Sequence, residues 1–234
     1  MHRFVLLVLL PTLAILGLPR PAGAQERASS RVSVTVQGAA FQPAATGSVF
    51  DLSRRELTLE RSDFRVLRVG VEASVRVHPR LSVVGGWATG EREVSSSIRN
   101  TSVYGSGTQT TVFSLDPALR GGLLVDLRRF GADEAWGLAT LVALGRQGYR
   151  FAQSGVFPDA SAPGSTFSAD LATEGTGDLY VGELRLTRIL SSRLDALLAV
   201  GYQWSEATVG GDYNGFDPIS LSGLGISTGL AFRF

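Results

Sequence analysis

Apolar and polar residues alternate with period two along most of the chain from Arg31 onward. In "RVSVTVQG", Val32, Val34 and Val36 share one face, with Ser33, Thr35 and Gln37 on the other. "RVGVEASVRV" sets Val69, Val71, Ala73, Val75 and Val77 against Arg68, Gly70, Glu72, Ser74 and Arg76. Such spacing is that of a strand, whose side chains point alternately to the two faces of a sheet. "LSVVGGWATG" continues the pattern with Leu81, Val83 and Trp87. "LDPALRGGLLVDLR" places Leu115, Leu119, Leu123, Val125 and Leu127 opposite Asp116, Arg120, Asp126 and Arg128. "AWGLATLVALGRQGYRF" is apolar on both faces and leaves its facing open. "DLYVGELRLTR" sets Leu184 and Leu186 against Glu183, Arg185 and Thr187, and "LDALLAVGYQW" sets Leu194, Ala196, Leu198, Val200, Tyr202 and Trp204 against Asp195, Ala199, Gly201 and Gln203. The terminal "LGISTGLAFRF" is the eighth run, with Leu224, Ile226, Thr228, Leu230, Phe232 and Phe234 in register.

The connections between these runs alternate in length. "HPR", "RFGADE" and "LSSR" are short, whereas Gln42–Asp63, Glu93–Thr110, Ala152–Thr176 and Glu206–Pro218 are long. All short connections therefore fall at one end of the sheet and all long ones at the other. Loops beyond about 12–15 residues are uncommon within compact domains unless functional. Outer-membrane barrels show this asymmetry, together with an outward apolar band and aromatic girdles at both interfaces. Each run also meets the roughly 9–11 tilted residues that a transmembrane strand needs. Trp87, Phe130, Trp136, Tyr202 and Trp204 are the expected interface aromatics; Phe64, Phe113 and Phe151 also fall near the long-loop rim. The fold class expected is all-β: a closed, antiparallel, up-and-down transmembrane barrel of eight strands with short periplasmic turns and long extracellular loops.

On this topology and the ending "LAFRF", the chain from Gln25 to Phe234 resembles the small eight-stranded outer-membrane proteins of the OmpA transmembrane-domain and OmpX type. The resemblance implies assembly by the barrel-assembly machinery, with Leu230, Phe232 and Phe234 as its recognition signal. It implies a monomer in contact with outer-membrane lipids and lipopolysaccharide. No peptidoglycan-binding segment follows the barrel in this sequence, so cell-wall tethering is not implied.

Ahead of the barrel, "MHRFVLLVLLPTLAILGLPRPAGAQ" has a basic start, an apolar stretch from Phe4 to Leu18 and then Ala22-Gly23-Ala24. This is the layout of a secretory signal cut after Ala24, giving a signal over residues 1–24 and a barrel domain over 25–234. As a membrane anchor the stretch is short, and Pro11 interrupts it. The absence of cysteine excludes disulfides and thiolate metal sites. All 22 basic residues are arginines and the net charge is near zero, so nothing points to nucleic acid.

Closing such a barrel turns the polar faces inward. Arg68, Glu72, Arg76, Asp116, Arg120, Asp126, Glu183, Arg185, Asp195 and Arg233 are then expected to share the lumen as a charge network. Eight strands leave an interior just wide enough for side chains to fill, and arginine suits bidentate pairing with carboxylates. The expectation is a filled lumen rather than a narrow gated ion path. Catalysis is not expected and no cofactor is implied: His78, in the tight "HPR" turn, lacks a nucleophile and an orienting acid. "GGDYNGFDP" offers Asp212, Asn214 and Asp217 as oxygen ligands but lacks calcium-loop spacing, so no metal site is assigned. In the first long connection, "ELTLE" reads as a protruding hairpin arm, with a ten-strand count as its extreme. Arg54, Arg55 and Arg61 there are able to meet lipopolysaccharide phosphates, and the acidic stretch after Phe151 to hold divalent cations. The function expected is non-enzymatic: envelope integrity, or adhesion and ligand contact through the loops. The alternatives are a barrel that passes or binds a hydrophobic molecule, a lipid A-modifying enzyme, and a soluble lipocalin-shaped barrel with its apolar faces inward.

Overall fold

The computed structural model describes residues 31–234 apart from 160 and 163, and leaves the side chain of Asp133 undescribed. The expected signal over residues 1–24 lies outside the described residues. The strands are β1 (Val32–Pro43), β2 (Val66–His78), β3 (Leu81–Ser97), β4 (Thr108–Phe130), β5 (Trp136–Pro158), β6 (Thr166–Ile189), β7 (Leu194–Ala207), the two-residue β8 (Ile219–Ser220) and β9 (Gly223–Arg233). Two helices lie in the connections at the long-loop end, α1 (Ser48–Glu56) and α2 (Thr101–Tyr104).

From β1 to β8 each strand pairs antiparallel with the next in sequence, β9 pairs with β7, and β9 returns to β1 through pairs such as Val36–Leu230 and Ser33–Arg233. β8 and β9 are two pieces of one stave against β7, broken at Leu221 and Ser222. The ring therefore has eight staves and no open edge at membrane depth, as lipid requires of any sheet that crosses it. The Phe234 N–H donates to Val32 O at 2.9 Å, so the chain is held to its last residue.

The ring is tilted. From Glu72 the ladder runs through Thr35, Ala231 and Asp195 to Ile189 of β6. In the other direction it runs through Gly86, Arg120 and Gly145 to Leu179 of the same strand. The two paths meet with a stagger of ten residues, the shear that links strand tilt to barrel width.

Apolar side chains face outward over a continuous belt. Val69, Val142 and Leu144 are 62%, 64% and 67% exposed, with Val36, Val71, Leu119, Leu184, Val200 and Ile226 beside them. A contiguous exposed apolar surface of this extent is what lipid covers. The polar faces turn inward, which overturns the lipocalin-like alternative. β5, whose facing the sequence left open, puts Leu138, Val142 and Leu144 outside and Ala139, Leu141, Ala143 and Gln147 inside.

Above the belt the molecule departs from the expectation. The connection read as a long loop at Ala152–Thr176 is largely strand, and the one at Glu93–Thr110 is strand at both ends around α2: β4, β5 and β6 run 23, 23 and 24 residues. Outside lipid both faces of a strand can be polar, so the apolar alternation that marks a membrane strand fades there. The first connection is no hairpin arm, and the ten-strand count falls with it. It forms α1 and a 3₁₀ turn over Arg61–Phe64, with Leu57 and Leu59 buried.

Candidate functional site: the closed lumen and its cap

The stagger decides which inward residues meet. β6 stands four strands from β2 in either direction, so it lies across the lumen. The two ladder paths from Glu72 end at Leu179 and Ile189, and the level opposite Glu72 lies midway between them. The inward residues flanking that level are Glu183 and Arg185. Arg185 donates to Glu72 Oε1 and Oε2 at 2.5 and 2.8 Å, and Nη2 also donates to Glu183 Oε2 at 2.8 Å. Arg120 of β4 completes the ring, donating to Glu72 Oε2 at 3.0 Å and Glu183 Oε1 at 2.5 Å. Two guanidiniums and two carboxylates thus neutralise one another in a closed, buried quartet, the arrangement in which buried ions are tolerable. Gly201 of β7 makes room for it, because a methyl group there would lie 2.5 Å from Glu183 Cγ.

Nearer the short turns, Arg233 of β9 pairs with Asp195 of β7. Nearer the long loops, Arg68 is held by the amide oxygens of Gln203 and Gln147 at 2.9 and 3.2 Å. Three residues expected in the network stand apart from it. Arg76 lies half-buried at the periplasmic mouth beside Ser33, Ser74 and Arg233, and Asp126 is half-buried at the inward end of β4. Neither makes an ion pair among the described residues. Asp116 is outside the lumen altogether. A bulge in β4 sets Ser114 and Ala118 against Arg150 and Gln147, one residue more than β5 supplies. One extra residue exchanges the two faces of a strand. Beyond it Leu115 is fully buried and Asp116 exposed, the reverse of the facing that uninterrupted alternation gives.

The same inward face becomes aromatic toward the long-loop end. Phe41, Phe113, Phe151 and Tyr149 converge from the walls, Phe64 from the 3₁₀ turn ahead of β2, and Phe50 of α1 enters from above. Phe50 lies 4.9 Å from Phe64 and 5.4 Å from Phe151 in edge-on geometry, and Tyr213 meets Phe151 at 5.8 Å. Phe64, Phe113 and Phe151 are therefore plug residues and not part of a lipid-facing girdle. α1 is placed to deliver Phe50: Val49, Phe50 and Ser53 share its buried face, and Asp51 and Arg54–Arg55 suit the two ends of its dipole. Arg99 caps its last turn, donating from Nε to Arg54 O and Leu57 O at 3.2 and 3.0 Å. The last connection laces over the helix, with Asp217 N–H donating to Ser48 Oγ at 2.8 Å. Tyr213 donates to Gln153 Oε1 at 2.8 Å, and burial together with the charge of Asp212 pushes its phenol above the ordinary range.

The expected interface aromatics all lie at the ends of the belt. Trp87, Tyr202 and Trp204 are exposed near the long-loop side, the last two 4.8 Å apart. Phe130 stacks on Trp136 at the short-turn side, under the guanidinium of Arg188. Phe232 and Phe234 are exposed there too, while Leu230 is half-buried. His78 is exposed in the β2–β3 turn, its Nδ1 accepting the Arg80 N–H at 3.4 Å. Asp212 Oδ2 accepts the Ala172 N–H at 2.8 Å, and among the described residues no three His, Cys, Asp or Glu side chains converge as a metal would require. Sequence alternation put Gln203 on the polar, inward-turning face without naming it or Gln147 as a partner of Arg68, and it missed the aromatic plug, although the parity of Phe151 with Gln147 was a usable signal.

This is the architecture of a small eight-stranded outer-membrane barrel, and the chain is integral to that membrane. The closed ladder and the outward belt carry that statement. No family model matches the sequence, and no curated protein matches it. Among solved structures the fold is similar to Ail of Yersinia pestis, at 8% identity and a TM-score of 0.44 over 88% of this chain and 97% of that one. It is also similar to Neisserial surface protein A, at 12% identity and 0.44 over 87% and 97%. OprG of Pseudomonas aeruginosa matches at 12% identity and 0.41 over 88% and 97%.

Proposed function

We propose that this protein is a closed, non-catalytic barrel that works through the sheet it raises above the lipid, contacting an extracellular polypeptide by strand addition. The observation that carries the reading is the outer edge of β6. β6 pairs with β5 over its whole length, from Pro158–Thr166 downward, but with β7 only from Gly177 to Ile189. Asp212 occupies the edge at Ala172, and among the described residues no strand pairs with Thr166–Leu171 on that side. An unpaired edge is a template for another strand. β3, β4 and β5 stand behind it and keep it extended.

The lumen supports the closed half of this reading, since the buried quartet and the aromatic plug fill it at two levels. The outward aromatics are suited to seat the belt at the two interfaces. Arg146 and Arg150 project from β5 just above Leu144, suited to lipopolysaccharide phosphates. Residues 1–24 serve as the export signal, and Leu230, Phe232 and Phe234 as the mark read during assembly. Protein sequencing of the mature N-terminus tests the former.

The main test uses intact cells displaying the chain on protein-coated surfaces. Proline at Ala169 and, separately, at Asp170 removes edge N–H groups that point alternately to β5 and to the free side. One of the two should abolish adhesion while the barrel keeps its heat-dependent gel migration. Adhesion untouched by both, or conductance steps from the reconstituted protein in a planar bilayer, would overturn the reading.

A further inference from the structure

Arg68 enters the lumen from β2, two inward positions beyond Glu72 of the quartet, and is only 9% exposed. Its terminal nitrogens donate to two neutral amides, Gln203 and Gln147, and its guanidinium carbon lies 5.5 Å from the Phe41 ring centre. Its Nε is buried without a hydrogen-bond partner. No carboxylate lies within ion-pair distance of it among the described residues. Glu183 is held by Arg120 and Arg185, and Asp116 sits on the outer surface. The quartet is neutral by itself, so it offers no counter-charge to Arg68. Arginine does not shed its proton to escape this, and a buried charge without a counter-charge is strongly unfavourable.

A cavity adjoins Arg68, bordered by Gln37, Arg120, Gln203, Ser227 and the small residues Gly70 and Gly225. Gln37 Oε1 is likewise buried without a partner. Amide oxygen and nitrogen are interchangeable in assignment, so turning this amide presents an N–H group to the same space. These donors share the lining with apolar residues and with Glu183, whose carboxylate is already engaged by Arg120 and Arg185, so no acidic partner is free to neutralise Arg68. Water would satisfy the hydrogen bonds and leave the charge.

We propose that the lumen of this barrel is a binding site for a small monovalent anion of halide size, held against Arg68 with Gln37 and Ser227 as further donors. The site lies between the quartet and the aromatic plug and does not depend on the surface contact proposed above.

The test is refolding of the full chain from urea in bromide, so that the ion is enclosed as the barrel closes, followed by crystallography at the bromide absorption edge. An anomalous peak in the chamber beside Arg68 is expected. In parallel, the unfolding midpoint should rise with chloride at constant ionic strength against gluconate, and Arg68→Gln should remove that dependence. Gln37→Leu, which keeps the cation, should weaken it. A chamber holding water only, or a chloride dependence that persists in Arg68→Gln, would overturn the proposal. Should Arg68→Gln fail to refold, the bromide map and Gln37→Leu still decide it.

Discussion

Glu72 and Arg185 join across the lumen, from β2 and β6, by a bidentate pair of hydrogen bonds of 2.5 and 2.8 Å. Both side chains are almost fully buried, and each also serves a second partner in the quartet. Removing one member strands a charge. Glu72→Gln leaves Arg120 and Arg185 to share Glu183, and breaking a buried pair in this way costs about 3–5 kcal/mol. Glu72→Gln combined with Arg185→Met leaves Arg120 and Glu183 as one neutral pair. Urea unfolding in lipid vesicles, followed by heat-dependent gel migration, should show the single variant far less stable than the double. Equal losses would mean that the quartet is not the unit described.

The β4 bulge makes a sharper claim about individual positions. Native protein contains no cysteine, so single substitutions report accessibility without background. Asp116→Cys should react readily with a water-soluble maleimide on whole cells, and Leu115→Cys should stay protected until unfolding. Deleting Pro117 should remove the extra residue and make the alternation continuous, with Ala118, Leu115 and Phe113 all still facing inward. Leu115→Cys should stay protected in that deletion variant too, and reactivity there would mean that the bulge is not where the two facings are reconciled.

These two cases mark how far the sequence was legible. The facing of the membrane half could be read because lipid and lumen impose opposite demands on successive residues: Val69, Val71 and Leu198 lie outward, Arg68 and Glu72 inward. That reading fails wherever the count of residues slips, as at Asp116-Pro117, because a bulge leaves no apolar signature. It also fails above the membrane, where water on both sides removes the contrast that marks a strand, as in Thr166–Thr176. α1 was hidden for a different reason. "ELTLE" alternates as a strand would, while the helical spacing of Val49, Phe50 and Ser53 is too short to stand out. The partners of Glu72 could not be named from sequence alone, since Glu183 and Arg185 are selected by the stagger of the ring.

Space around the quartet can be tested from the adjoining strand, where Gly201 of β7 pairs with Glu183 of β6. Gly201 faces Glu183, and a Cβ there would also lie 2.8 Å from Gly182 O. Gly201→Val should push Glu183 off Arg120 and lower the unfolding midpoint. Gly210→Ala, at a loop position where nothing lies within 4 Å, should leave the midpoint unchanged and serves as the control.

The cap depends on one ring. Phe50 is fully buried and contacts Phe64, Phe113 and Phe151. Phe→Ala at such a site costs about 3–5 kcal/mol, more than a nine-residue helix can recover from its exposed face. Phe50→Ala should therefore free α1 locally while the membrane belt stays folded. Trypsin on intact cells should cut at Arg54 or Arg55 in the variant and spare the native cap. Cleavage of the native protein at the same rate would show that α1 is not docked.

Alkali should loosen the same cap through Tyr213. Its phenol donates to Gln153 Oε1, and burial with Asp212 beside it raises its pKa above the ordinary value of 10.0. A tyrosine whose folded pKa is raised stabilises the folded form fully below its unfolded value. That contribution is lost as pH climbs from about 10 toward the folded pKa. Ionisation also removes the proton that Gln153 accepts, leaving two acceptors facing each other in a buried site. Trypsin sensitivity of α1 should thus rise between about pH 10 and 12, the range over which an unfolded tyrosine ionises and the buried one resists. Tyr213→Phe, which keeps the ring against Phe151 and has no proton to lose, should start less stable and show a flatter rise. A cap whose alkaline loosening is the same in Tyr213→Phe would place the titrating group elsewhere in the mouth, with Tyr149, which donates to Thr208 O at 2.8 Å, the next to substitute.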